Sequence, residues 1–513
     1  MYSEAYSVAI MGIDGCIVRA EADVSDGLPG FSLVGYLAGE VREAKERVWI
    51  ALKNSGFKFL PKKITVNLSP ADIRKGGTSY DLSISVAVLS AFGYINPEDV
   101  LDCIFIGELS LDGRVKGVSG VLPMVYAAMK EGFKYVILSE DNQSEAEIVK
   151  GINVISITRL DEILDVVANK AEFVINRDSL NSLINPSFKN KEDFSDVSGQ
   201  LIAKRAVEVA VSGMHNILMV GPPGSGKTML AKRIPGIMPL PDFDEIMEIS
   251  KIYSVSGLLS DSNPIINTRP FRAPHHTITQ TALVGGGRFP KPGEISLANG
   301  GVLFLDELPE FTRQSIEVLR QPLEDGFVNV SRLGGSFKYP SRITLVGAMN
   351  PCPCGYYPDR KKCSCPQHTV NRYLSKVSRP MLDRIDICTE TTLLNYDEIN
   401  REEAESSEDI RKRVEKAHTI QKERYAKEDF SFNAHLNAKG IKKYCKLTKD
   451  AKALIKTIFE SGTMSVRAHH KILKVARTVA DMDEKDVIDA THVSEAVSYR
   501  SVDKKFWNQD FVN

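Results

Sequence analysis

Residues Gly221, Pro222, Pro223, Gly224, Ser225, Gly226, Lys227 and Thr228 run in succession between the apolar stretch Ile217-Leu218-Met219-Val220 and a helix-prone stretch from Met229. A glycine-rich turn between a strand and a helix aims successive backbone N–H groups at an anion, at the positive end of the helix. Lys227 is then placed to reach the β- and γ-phosphates of a nucleotide, and the Thr228 hydroxyl to hold Mg²⁺. A glycine-rich turn alone is a weak signal, but the full pattern with Lys-Thr in this setting is a Walker A loop, which implies ATP and Mg²⁺. Further on, Gly301-Val302-Leu303-Phe304-Leu305 ends in Asp306-Glu307. A buried strand that must present carboxylates beside a phosphate has this form. Asp306 would hold Mg²⁺, directly or through water, and Glu307 would polarise the attacking water. On its own the run would read as a core strand with an acidic surface turn; the Walker A loop upstream favours the chemical reading. A third apolar run, Ile343 to Met349, ends at Asn350, whose amide can orient the lytic water. Two arginines complete the set. Arg384 lies in Arg379-Pro380-Met381-Leu382-Asp383-Arg384 and Arg467 in Ser465-Val466-Arg467-Ala468-His469-His470. A single arginine is usually a surface or salt-bridge residue. Here the functional reading is an arginine finger (Arg384) and a lid arginine (Arg467), each stabilising charge on the γ-phosphate.

Eight cysteines are present, and four of them cluster as Cys352-x-Cys354 and Cys363-x-Cys365. Two close thiol pairs suit tetrahedral Zn²⁺. The one-residue spacer strains chelation by both members of a pair, so three readings stand: structural zinc, reduced structural thiols, and redox chemistry. His368 reads as a loop histidine rather than a ligand.

These groups need elements to hold them. Residues 1–175 alternate strand-like and helix-like segments and form an α/β unit of their own. Val8 to Ala22 reads as a strand, and Gly39 to Ser55 as a helix with Val41, Ala44, Val48, Ala51 and Leu52 at helical spacing. Strands follow at Ile64 to Leu68, Ile104 to Ile106, Tyr135 to Leu138 and Val154 to Ile157, with helices at Tyr80 to Phe92 and Val121 to Glu131. Residues 176–195 are polar and read as a linker. Residues 196–398 carry the nucleotide chemistry on a second α/β unit. Residues 399–513 read as all-helical, with candidates at Ile410 to Ala426, Ala451 to Glu460, Ser465 to Met482 and Ser494 to Arg500. The run Arg401-Glu402-Glu403-Ala404-Glu405 reads as a solvated helix face. The fold class is therefore α/β with a helical C-terminal unit.

Composition sets outer bounds. A 513-residue chain with 43% hydrophobic and 26% charged residues is globular with ample core. Its net charge of −1 supplies no global field for nucleic acid, so any such contact must come from local basic patches or from an assembly. No apolar run reaches membrane-spanning length. Met1-Tyr2-Ser3-Glu4 lacks the basic start of a secretion signal, and a cytoplasmic location without membrane contact is expected.

Several longer motifs add to this reading. They are Phe271-Arg272-Ala273-Pro274-His275-His276-Thr277, Pro292 to Gly301 running into Val302 to Phe311, Asn350-Pro351-Cys352-Pro353-Cys354-Gly355, and Val475 to Asp481. Together they resemble the magnesium-chelatase-like AAA+ ATPases, and within them the bacterial ComM/YifB branch. The likeness spans nearly the whole chain. It implies a homohexameric ring with ATP between subunits, and a DNA helicase driving branch migration during recombination of incoming DNA. Asn350, Arg384 and Arg467 match the family's sensor 1, finger and sensor 2 positions. The long interval from Lys227 to Asp306 resembles a helix-2 insert, about Pro270 to Gly293. Gly326 to Ser341 reads as a hairpin and resembles a pre-sensor-1 hairpin. Arg288, Lys291, Arg332 and Lys338 are the basic residues expected near a central channel, where phosphate contact would be sequence-independent; ordinary solvated loop charges are the alternative. The N-terminal unit resembles the substrate domain of Lon-type proteases through Lys75 to Leu82 and Gly107 to Gly113. Ser79 falls near that fold's nucleophile, but the paired lysine falls near Leu122, which is no base, so proteolysis is not expected. Lys58, Lys62, Lys63, Arg74 and Lys75 would give this unit a weak basic patch, or simply solubility. Two other functions stay open: a protein-remodelling ATPase, and a chelatase-type motor subunit, although the integrin-like partner domain the latter needs is not encoded here.

Overall fold

The computed structural model describes residues 1–174, 192–287, 290–332, 335–394, 405–460 and 465–507. Most of the expected linker, most of the charged run from Arg401, and Arg288 lie outside these residues, as does the side chain of Arg332.

The N-terminal unit is a seven-stranded mixed sheet. Its strands are β1 (Tyr2–Met11), β2 (Asp14–Ser25), β3 (Gly30–Val34), β4 (Lys63–Ser69), β5 (Cys103–Ile106), β6 (Tyr135–Ser139) and β7 (Asn153–Ile157), in the order β3-β4-β2-β1-β5-β6-β7. The segment expected as one strand over Val8 to Ala22 is two antiparallel strands joined at Gly12-Ile13, with Met11 opposite Asp14 and Tyr2 opposite Asp23. Gly12 takes φ +71° at the turn. The buried turn residue Ile13 bridges the two apolar runs, but Gly12 and Asp14-Gly15 beside it are turn formers that the single-strand reading absorbs. Helix α1 (Gly39–Asn54) buries Val41, Ala44, Val48, Ala51 and Leu52, the face its spacing predicts. Helix α2 (Asp81–Ala91) is buried on every side. Two of its serines are satisfied within the helix: Ser83 and Ser85 donate to the carbonyls of Tyr80 and Asp81, at 2.9 and 2.8 Å. Helix α3 (Val121–Lys130) follows Gly120.

The central unit is a five-stranded sheet, parallel throughout: β8 (Ile217–Val220), β9 (Phe271–Arg272), β10 (Val302–Leu305), β13 (Thr344–Met349) and β14 (Ile387–Glu390), in the order β9-β10-β13-β8-β14. Between β10 and β13 the chain forms a separate hairpin of β11 (Phe327–Arg332) and β12 (Gly335–Pro340), with Val330 opposite Phe337. Helices α4 (Leu201–Gly213), α5 (Lys227–Ile237), α6 (Phe243–Ser256) and α7 (Gln367–Leu374) surround the sheet. Helix α6 goes beyond the sequence expectation; a full capping box marks its start, Asp242 with Glu245. The C-terminal unit is helical, with α8 (Ser407–Arg424), α9 (Lys449–Ile458), α10 (Val466–Met482) and α11 (Ala490–Trp507) as its main helices.

The three units share cores. Val302, Phe304, Val346 and Ile387 of the central sheet pack in one cluster with Ile410, Val414, Ile472 and Val479 of the C-terminal helices. Val8, Ile104, Val121 and Val125 of the N-terminal unit cluster with Ile246, Met247 and Ile265 of the central one. Ile13 enters a third cluster with Val328, Val330 and Tyr339 at the base of the β11–β12 hairpin.

Candidate nucleotide site

In a parallel sheet, loops at the carboxyl ends of neighbouring strands converge. Strand β13 lies between β8 and β10, so the Walker A loop, Asn350 and Asp306 meet at one end of the sheet. Lys227 Nζ donates to the carbonyls of Gly221 and Pro222, each at 2.8 Å, and to Asn350 Oδ1 at 3.2 Å. Burial lowers the Lys227 ammonium to about 8, against the raising effect of Asp306. Thr228 Oγ1 donates to Asp306 Oδ2 at 2.7 Å. A hydroxyl and a carboxylate so placed offer the hard oxygens that Mg²⁺ takes, and Gly224 and Gly226 at φ +75° and +84° shape the loop that would cradle phosphate. These residues fit the pair ATP and Mg²⁺. Glu307 stands beside them with its backbone at φ +50°, a conformation unusual for a non-glycine residue. Its N–H donates to Asp306 Oδ1 at 2.9 Å, and its Oε2 lies 3.6 Å from His276 Nδ1.

Two participants lie outside the set that sequence reasoning picks out. His276 sits at the end of the β9 segment, with its ring 4.1 Å from that of His275 and edge-on to Phe311 at 6.4 Å. It belongs to one of the longer motifs, but a neighbouring histidine pair carries no sequence signal of proximity to Glu307. Gln200, at φ +53°, donates from Nε2 to the carbonyls of Ser225 at 3.1 Å and Thr392 at 2.6 Å, so it pins the Walker A loop to the chain after β14.

Arg384 and Arg467 lie together but not here. Asn216 immediately precedes β8, and its Nδ2 donates to the Arg384 carbonyl at 2.9 Å. The Walker A loop leaves the other end of the same four-residue strand, about 13 Å along at 3.3 Å per residue. Arg384 reaches the carbonyls of Arg320 and Pro380 and the carboxylate of Glu324. Arg467 Nη1 donates to Asp383 Oδ2 at 3.1 Å. Both arginines line a large cleft between the central sheet, the C-terminal helices and the N-terminal turn at Ile13-Asp14.

The four clustered thiols converge, with every pair of Sγ atoms within 4.8 Å. Cys352 lies 3.3 Å from Cys354 and 3.8 Å from Cys363, and Cys354 lies 3.5 Å from Cys363. Tetrahedral Zn–S bonds of about 2.3 Å require sulfur separations of roughly 3.8 Å, so the donor set fits Zn²⁺. The short spacer does not prevent this, because the chain reverses at Gly355, at φ +88°. A Cβ on Gly355 would stand 2.3 Å from Cδ of Pro223, so the thiol loop rests directly on the Walker A loop.

Among the expected DNA-contacting residues, Lys338 Nζ sits 3.7 Å over the Phe327 ring at the base of the hairpin, and Arg332 is next to its tip. Lys291 lines a cavity of about 760 Å³ between the N-terminal and central units. Ser79 lines the same cavity, Leu122 is wholly buried nearby, and Lys75 Nζ is turned to the Pro70 carbonyl. Lys75 is fully buried and so drops out of the surface basic patch. No described helix is long and apolar enough to cross a membrane.

Family models cover most of the chain. One described as magnesium chelatase, subunit ChlI, matches residues 193–399; subunit ChlI of Mg-chelatase matches 20–142; and its C-terminal model matches 404–500. Competence protein ComM of Haemophilus influenzae is 42% identical over 97% of this chain and 97% of its own length. The YifB protein of Escherichia coli is 39% identical over 98% of this chain and 97% of its own length. A Lon protease of Trichlorobacter lovleyi is 23% identical over 32% of this chain and 21% of its own length.

Proposed function

The chain belongs to the magnesium-chelatase-like AAA+ family, in the branch of ComM and YifB, and on that footing we propose that it is a cytoplasmic, ring-forming ATPase that moves on branched DNA in recombination of incoming DNA. Lys227 and the amides of the Walker A loop bind the phosphates, and Thr228 and Asp306 hold Mg²⁺, which supplies charge neutralisation. Glu307 takes the proton of the attacking water, and Asn350 orients it. The γ-phosphoryl group passes to that water and ADP leaves.

One observation carries the ring reading: Arg384 and Arg467 stand at the opposite end of the sheet from Lys227 in their own subunit. An arginine so placed serves a triphosphate only when a neighbouring copy presents it. The homohexamer follows from the family pattern. The DNA reading rests on the β11–β12 hairpin and the insert that precedes β10. The hairpin base is braced by the Tyr339 hydroxyl, which donates to the Pro290 carbonyl of that insert at 2.7 Å. Arg288, Lys291, Arg332 and Lys338 supply the cations of these elements. Binding through them would be salt-sensitive and sequence-independent.

The test is unwinding of a four-way or forked duplex with ATP, with ATPase turnover measured beside it. DNA should stimulate turnover severalfold, and strands should part. DNA that neither binds nor stimulates would shift the reading to a protein-remodelling ATPase.

A further inference from the structure

The segment that carries Arg384 is a tight turn. The Ile385 N–H donates to the Leu382 carbonyl at 3.1 Å, so Asp383 and Arg384 are its central residues. Lys471, on α10, places its buried ammonium against both ends of this turn. Nζ donates to the Leu382 carbonyl at 3.2 Å and the Ile385 carbonyl at 2.7 Å, with Asp386 Oδ1 at 3.9 Å. One helical turn earlier on the same face, Arg467 holds Asp383. From the other side the Asn216 carbonyl accepts the N–H groups of Asp386 and Ile387, at 3.0 and 3.1 Å, and its side chain donates to the Arg384 carbonyl. Arg500 of α11 adds a bond to the Ile385 carbonyl at 2.9 Å. The turn is therefore fixed to the start of the Walker A strand by Asn216 and to the C-terminal helices by Lys471.

A buried lysine is a poor way to pack a helix against a sheet, since an apolar residue of similar volume packs there without a desolvation cost. What a lysine supplies is a rigid clamp on two carbonyls that flank the arginine. We propose that Lys471 is the positioning residue for Arg384. It sets the height at which the guanidinium projects toward the adjoining subunit's triphosphate, and it couples that height to the C-terminal helices. This rests on Arg384 acting on a neighbouring copy.

The experiment uses the full chain with Lys471→Met, which keeps length and loses the charge. ATP-analogue affinity should stay within twofold of the parent, because the variant subunit's own Walker A loop is untouched, while kcat falls 10- to 100-fold. Mixing with Lys227→Ala subunits, which cannot use ATP but present a sound finger, should restore turnover. Mixing with Arg384→Ala subunits should restore none, and the double variant should be no slower than Arg384→Ala alone. Lys471→Gln, whose amide can serve one carbonyl, should fall between parent and Lys471→Met, and it carries the test if the methionine variant does not fold. Parent-like kcat in both variants overturns the inference. So does a loss that Lys227→Ala subunits fail to restore while they do restore Arg384→Ala. If Arg384→Ala itself is not restored, the reading of that arginine as acting between subunits falls first, and this inference with it.

Discussion

Gly355→Ala tests whether the thiol loop and the Walker A loop are one mechanical unit. Two costs arise. The residue sits at φ +88°, where an added Cβ costs on the order of 1 kcal/mol or somewhat more. The Cβ would also stand 2.3 Å from Pro223 Cδ, whereas ordinary contact begins near 3.4 Å. The two loops must then separate by about 1 Å, a displacement that can lower turnover on the order of 100-fold when it misplaces catalytic groups. Loss of one charged hydrogen bond to phosphate, about 1.5–3 kcal/mol, would weaken ATP binding roughly tenfold to a hundredfold. Gly132→Ala is the matched control, because Gly132 has φ +85° and no atom within 4 Å of the place its new methyl would occupy. It carries the backbone cost without the collision. Titration with a fluorescent ATP analogue, alongside phosphate release, reads both effects. If Gly355→Ala binds the analogue and turns over like Gly132→Ala, the thiol loop does not bear on the phosphate site.

Glu307→Gln should keep ATP bound and slow hydrolysis by about 10²- to 10⁴-fold, the usual contribution of a general base; full-speed phosphate release in this variant would remove Glu307 from the mechanism. His276→Ala should raise DNA-independent turnover severalfold, because the 3.6 Å contact that restrains Glu307 is gone, and an unchanged basal rate would count against a restraint. Lys227 in the nucleotide-free site loses its proton as pH rises through about 8, whereas a bound phosphate holds the proton on. ATP affinity should therefore fall with rising pH, by about tenfold per unit above that point, and Lys227→Arg should flatten the slope because arginine stays charged. Metal analysis should find one zinc per chain, lost together with part of the ATP affinity in Cys354→Ser; a zinc-free parent that binds ATP normally would separate the two sites.

The sequence discloses the phosphate-binding chemistry well because its residues are contiguous. The eight Walker A residues and the acids closing β10 each carry their own local context of strand, turn and helix. How distant segments meet is far less legible. His276 and Glu307 are brought together by parallel pairing of β9 with β10, a register that no spacing encodes. The Asn216 and Lys471 grip on the Arg384 turn depends on tertiary packing of α10. The β1–β2 hairpin is marked only by Gly12 and Asp14-Gly15, a signal masked by the strand formers on either side, and α6 is hidden because its apolar residues are spread among acids and serines. The cysteines present the reverse case: a spacing that looks unfavourable along the chain becomes compatible with a single metal once a left-handed glycine folds it back.

Because Ile246, Met247 and Ile265 lie among N-terminal side chains, and Ile13 lies beneath the β11–β12 hairpin, the first unit is packed into the rest of the chain and is not an appended module. Amputating it would strip an apolar face bare and invite aggregation, so a truncated chain that fails would say nothing about that unit's own contribution. Its role is better read by softening the joint than by severing it. The same seam ties the β11–β12 hairpin to the β1–β2 turn through Ile13, so a displacement of the hairpin would be felt first at those two strands.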